Sequence, residues 1–199
     1  MLSAAHALSA ALLGGQSQVG MVVSSEANSD RCPDPTYAYP RSGAALLLDL
    51  SPRQDLGFGA FAFQTREDQA ELFTSTVRLD APRGRLIMRR GAELEQVYLH
   101  LASAVAEAAL AAEGLRREDL ALVVPGQISP SFLAALPRVL GLPASLVVDL
   151  SGRLADTGST STVLALHTAL ATRQPPRGSW ILLLACGAGI TAGAALYQV

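Results

Sequence analysis

From Trp180 to the C-terminal Val199 the sequence WILLLACGAGITAGAALYQV carries no charged side chain. A run of this length can just span a bilayer as one helix, and Gly189 and Gly193 stand at the GxxxG spacing of packed membrane helices. Gly187, Gly189 and Gly193, however, cut the run into two strand-length pieces. Two buried strands joined by a glycine turn are therefore the reading it supports. Strands so uniformly apolar need cover on both faces, which points to a sheet sandwiched between helices.

The rest of the chain supplies that cover. MLSAAHALSAALLGG opens with Leu2, Leu8, Leu12 and Leu13 on a buried helix that ends at Gly14 and Gly15. QVGMVVSSE reads as a buried strand, residues 27–42 as a proline-bearing loop, and SGAALLLDL and LGFGAFAFQT as two further strands around the turn SPRQD. Residues 92–113 form the clearest helix. Leu94, Val97, Leu101, Val105, Ala108 and Ala112 recur at helical spacing, and Gly114 supplies the stop. The strand LALVVP, a helix from about Pro130 to Leu140, the strand SLVVDL and a helix over 160–173 follow, before the terminal strands SWILLLAC and TAGAALYQV. Alternation of this kind predicts a layered α/β fold with a largely buried sheet.

Composition narrows the function classes. Half of the 199 residues are hydrophobic and 16% are charged, so part of the surface is expected to be covered by a partner. A net charge of −2 without a basic stripe argues against nucleic acid. Cys32 and Cys186 lie far apart with no CxxC pair, which argues against a disulfide framework or a zinc site and fits a reducing cytoplasm. The N-terminal run lacks the positive residue that precedes the apolar stretch of an export signal. A cytoplasmic chain with no membrane span, no metal and no cofactor is the expectation.

Three motifs, in order, carry a family resemblance. DLALVVPGQISPSFLAALPRVLGLP (119–143), TGSTSTVLALHTAL (157–170) and CGAGITAGAALY (186–197) resemble the strand–turn–helix, the loop-and-helix and the glycine-rich terminal hairpin of β-ketoacyl-ACP synthase III-like enzymes, in the thiolase-like superfamily. ALSAALLGGQSQVGMVVSSEANS is similar to the helix and strand after that family's nucleophilic cysteine, and RSGAALLLDL to the next strand. The resemblance implies a thiolase-like layered α-β-α-β-α fold in truncated form. Residues 1–85 would be the remnant of the N-terminal half, and residues 86–199 the complete C-terminal half.

It also implies what is missing. The family's cysteine takes the acyl group, while a histidine and an asparagine assist decarboxylation and hold the oxyanion. Matched position by position, the histidine falls on Gly126, the asparagine on Ser159, and the cysteine at or just before Met1. Gly126, Gln127, Ser129, Ser159, Cys186, Gly187 and Gly189 are the candidate pocket residues, with no confident catalytic group among them. His6, His100 and His167 read as packed or surface histidines, and Cys186 as a small buried residue. Cys32 reads as an exposed thiol with nothing nearby in sequence to depress its pKa. Ser159, Thr160 and Ser161 read as N-capping residues, and Asp149 and Asp156 as solvated loop carboxylates, either able to orient a base.

Two functions remain open at this point. One is a non-catalytic accessory subunit of an acyl-thioester condensing enzyme in fatty-acid, polyketide or related metabolism. It would pair with a ketosynthase-like chain or with itself as a dimer, in reach of acyl-CoA or acyl carrier protein thioesters. The other is an acyltransferase or a thioester or ester hydrolase on the same fold, using Ser129, Ser159 or a cysteine.

Overall fold

The computed structural model describes residues 1–26, 39–53, 55–78 and 85–199. Among the described residues, eight strands and four α-helices follow in the order α1 (Leu2–Leu13), β1 (Val19–Glu26), β2 (Ser42–Asp49), β3 (Gly57–Thr65), β4 (Phe73–Arg78), β5 (Arg85–Arg90), α2 (Leu94–Glu113), β6 (Leu120–Pro125), α3 (Pro130–Leu140), α4 (Ser161–Arg173), β7 (Trp180–Gly187) and β8 (Thr191–Gln198). The charge-free C-terminal run is the hairpin β7–β8, turning at Gly189 (φ 73°). No helix among the described residues is long and apolar enough to cross a membrane.

The central sheet has the order β3-β8-β7-β6, with β6 parallel to β7 and the other pairs antiparallel. Its two faces enter different cores. Leu182 and Leu184 of β7 pack with α2 and α3 side chains such as Leu101, Val105, Phe132 and Leu136. Ile181 and Leu183, one residue out of phase, pack with Ala165, Leu166 and Ala169 of α4 and Leu2 of α1. The period-2 alternation of a strand thus meets helices on both sides, which is why β7 and β8 need no polar face. Glycine closes two of the helices: Gly114 after α2 (φ 68°) and Gly141 after α3 (φ 65°) take the left-handed conformation that satisfies the last carbonyls.

Several sequence expectations need correction. On α2 the buried stripe runs through Ala102, Ala106, Ala109 and Leu110, while Ala108 and Ala112 face solvent. Ala108, Ala109, Ala111 and Ala112 carry the same side chain, so spacing alone does not say which of them face the core. Leu13 is 80% exposed at the end of α1. SLVVDL is not a strand: it gives a short 3-10 turn (Ala144–Leu146) and a single bridge between Val147 and Val123. The hairpin β4–β5 has no counterpart among the expected elements, and β2 starts at Ser42, the first residue of the expected strand SGAALLLDL, rather than leaving it in the loop 27–42. The remainder of that loop up to Ala38, with Cys32, lies outside the described residues.

Candidate active site

The C-terminal ends of β6 and β7, the end of β5, the first turns of α1 and α2 and the loop before α4 enclose a cavity of about 360 Å³. Of the sequence-nominated residues, Gly126, Ser159, Cys186 and Gly187 line it, together with Met1. A second cavity of about 250 Å³ adjoins it and shares Met1, Ala185, Cys186 and Gly187 with the first. Gln127, Ser129 and Gly189 line neither.

Each absence from the wall has a cause. Gln127 is 2% exposed and acts as a staple. Its Nε2 donates to the carbonyls of Pro125 (2.9 Å) and Val148 (3.1 Å), and its Oε1 accepts from Leu150 N (2.7 Å). Those bonds tie the turn after β6 to the segment that follows α3. Ser129 is the N-cap of α3, accepting from Phe132 N at 3.0 Å. Gly189 is spent on the β7–β8 turn.

Gly126 sits where the sequence matching places the family's histidine. Its backbone does not demand glycine: φ is not positive, and a Cβ built there meets Thr162 Oγ1 at 3.5 Å, an ordinary contact. The missing side chain therefore leaves open space at the wall rather than relieving strain. Gly158 is the opposite case, with φ 56° and a Cβ position 2.8 Å from Glu26 Oε1. That close approach lets Glu26 reach Ser159, accepting from its backbone N (3.0 Å) and from its Oγ (2.7 Å). With its proton so committed, the Ser159 hydroxyl accepts from Ser24 Oγ.

The expected N-capping serines do other work. Thr160, the N-cap of α4, makes no side-chain cap bond and donates to Thr157 O instead, while Ser161 Oγ accepts from Gln127 N at 2.6 Å. These hydroxyls stitch the loop to its neighbours. Asp149 accepts from Ser151 N and Oγ at the surface, as expected of a loop carboxylate. Asp156 is not solvated: 15% of its side chain is exposed, and it accepts from Gly158 N (2.9 Å) and from Arg90 Nη2 (3.3 Å). Burial holds its carboxyl above the ordinary carboxylate value.

Arg90 brings in a group of wall residues invisible to sequence reasoning. Its Nη2 also donates to Tyr39 Oη (2.8 Å), and its guanidinium carbon lies 5.3 Å from the ring centroids of both Tyr39 and Phe73. Tyr98 of α2 completes the wall, 3% exposed, with no hydrogen-bond partner for its hydroxyl among the described residues. Burial raises the pKa of both phenols, so both stay protonated at neutral pH. The one available signal was Tyr98 itself, four residues after Leu94 and three before Leu101 on the buried stripe.

Among the described residues, the nominated thiol Cys186 is not activated. Cys186 packs against the core, and burial pushes its thiol up to about 12, so it is not a thiolate at neutral pH. The three histidines are exposed at the surface, and His6 lies against Phe61 (4.9 Å between centroids) and Phe63 (5.7 Å).

Residues 110–199 match the family described as 3-oxoacyl-[acyl-carrier-protein] synthase III, C terminal. The C-terminal part of the chain is thus similar to β-ketoacyl-ACP synthase III. It is 34% identical to the β-ketoacyl-ACP synthase III of Alkalilimnicola ehrlichii over 115 residues, 58% of this chain and 36% of that protein. It is 28% identical to that of Aquifex aeolicus over 71% of this chain and 48% of that one. The crystal structure of the Thermus thermophilus β-ketoacyl-ACP synthase III superposes with a TM-score of 0.84 at 26% identity, covering 100% of this chain and 63% of that one. The chain thus spans between about a third and a half of these two curated relatives, and its fold is the thiolase-like α/β fold of the Thermus structure.

Proposed function

We propose that this synthase III-like chain is an accessory subunit that holds an acyl thioester without carrying out decarboxylative condensation. The observation that carries the reading is Gly126. At the histidine position of the cavity wall it offers no acid–base group, although the backbone leaves room for one. Ser159, at the asparagine position, donates its hydroxyl hydrogen to Glu26 Oε1 and so is not free to hold an oxyanion. Loss of one such donor typically costs about 10²–10³ in rate, so the two together remove most of the family's condensation chemistry. The exposed apolar side chains Met21 (61%), Val23 (64%) and Leu47 (69%) on the β1–β2 pair support a ketosynthase-like partner.

The test is binding of an acyl-CoA to the purified chain beside release of CO₂ from malonyl-CoA. Saturable acyl-CoA binding with CO₂ release at the background rate is expected. CO₂ release well above background that falls in Ser159→Ala would overturn the reading. Native mass measured with the neighbouring condensing enzyme of the same host examines the partner. A complex of the two chains is expected, and a self-contained dimer that ignores the synthase counts against pairing.

A further inference from the structure

The cavity leaves one polar group unanswered. Thr162 Oγ1 donates to Leu184 O, Ser161 Oγ accepts from Gln127 N, and Ser159 Oγ donates to Glu26 Oε1. The Tyr98 hydroxyl alone on this wall is both buried and without a partner among the described residues. A buried donor left unsatisfied is costly, and native proteins keep few of them. Beside it, Arg90 spends only Nη2 on Tyr39 and Asp156, leaving Nε and Nη1 without an acceptor among the described residues. Tyr98, Arg90, Asp156 and Cys186 all line this cavity.

We infer that Tyr98, backed by the Arg90–Asp156 pair, is a receptor for a neutral carbonyl oxygen, that of the bound acyl thioester. The inference rests on the reading of this cavity as an acyl-thioester site and names the contact that orients the acyl group. Charge decides between a neutral and an anionic acceptor. Asp156 already balances Arg90. An incoming carboxylate would find the Arg90 charge already paired with Asp156, whereas a neutral carbonyl oxygen accepts a hydrogen bond from the phenol without bringing a charge. The phenol, kept protonated by burial, is suited to donate. It stands in for the donors lost at Gly126 and Ser159 as a binding group, without their acid–base function.

The test compares three ligands of equal chain length by calorimetric titration: hexanoyl-CoA, its thioether S-hexyl-CoA, which lacks the carbonyl, and adipoyl-CoA, which adds a terminal carboxylate. Hexanoyl-CoA is expected to bind roughly tenfold more tightly than the thioether, the size of one hydrogen bond to an otherwise unsatisfied buried donor. Adipoyl-CoA is expected to bind no better than hexanoyl-CoA. Tyr98→Phe, which keeps the ring, is expected to bring the thioester down to the level of the thioether and leave the thioether unchanged. Equal binding of thioester and thioether by the native chain would overturn the inference while leaving the acyl-site reading intact, and needs no variant to fold. A preference that survives Tyr98→Phe, or tightest binding by adipoyl-CoA, would also overturn it. Failure of all three ligands to bind would remove both the inference and the acyl-site reading.

Discussion

The β7–β8 hairpin and the β1–β2 pair are built from much the same residues and are packed in opposite ways. On β7 the stretch Ile181 to Leu184 is buried on both faces, at 2% exposure or less throughout. On β1 only Val22 is buried, and Met21 and Val23 on either side of it are more than half exposed. The difference lies in what the chain folds against each strand. Helices α2 and α3 cover one face of the central sheet and α1 and α4 the other, whereas among the described residues β1 has a single strand partner, with α1 and the Gly158–Thr160 turn packed against it. Hydrophobicity along a strand therefore reports that cover is required, and the packing of the whole protein decides whether this chain provides it.

The largest effect that should separate the two regions comes from truncating the doubly covered strand. Leu182→Ala, at a fully buried position between β6 and β8, is expected to cost about 2–5 kcal/mol in denaturant unfolding. Val22→Ala removes fewer carbons from a site covered on one side, and the expected loss is about 1–2 kcal/mol. Equal losses at the two positions would mean that β1 is as firmly packed as β7, and the contrast drawn from exposure would fall.

The same contrast explains what could be read before folding. Strands β6, β7 and β8 announce themselves because their burial is encoded in consecutive residues and punctuated by Gly126 and Gly189. SLVVDL carries the same signal, but only Val147 bridges to Val123, so apolar composition alone over-predicted a strand. The strands of the β4–β5 hairpin, FTSTVR and RLIMRR, mix apolar with polar and charged residues, with neither strict alternation nor a long apolar run to mark them in sequence. The site was legible only at Gly126, Ser159, Cys186 and Gly187, where motif positions stand in for geometry. Glu26, Tyr39, Arg90, Tyr98 and Asp156 come from five segments, and their meeting depends on tertiary contacts that no local pattern encodes. The hydroxyls of residues 159–161 resembled caps because local sequence places them before a helix. Their actual partners, Glu26, Thr157 and Gln127, are mostly distant in the chain.

The cavity wall offers an intermediate effect that tracks pH. Burial raises the Asp156 pKa above 3.8, so the folded state holds this proton at pH values where the unfolded chain has released it. Stability contributed by this group is therefore greatest at low pH and declines as pH rises from about 4 through the raised folded value. Asp156→Asn should flatten the stability–pH curve in that window. An unchanged slope in urea melts across the window would mean that Asp156 is solvated like Asp149, and that the wall is more open than its 15% exposure implies.

The smallest expected effect is the sharpest test of the contrast. Leu47 lies on the open face of β2, opposite Met21 across the strand pair, and is 69% exposed. Leu47→Gln replaces solvated apolar surface with a polar side chain of similar length, so the isolated chain should unfold within about 0.5 kcal/mol of the parent. A loss approaching that of Leu182→Ala would mean that the isolated chain covers this face after all. If stability is unchanged but the native mass of the mixture with the condensing enzyme falls to that of the separate chains, the cover is supplied in trans. The half-packed strand pair would then be the surface on which the two proteins meet.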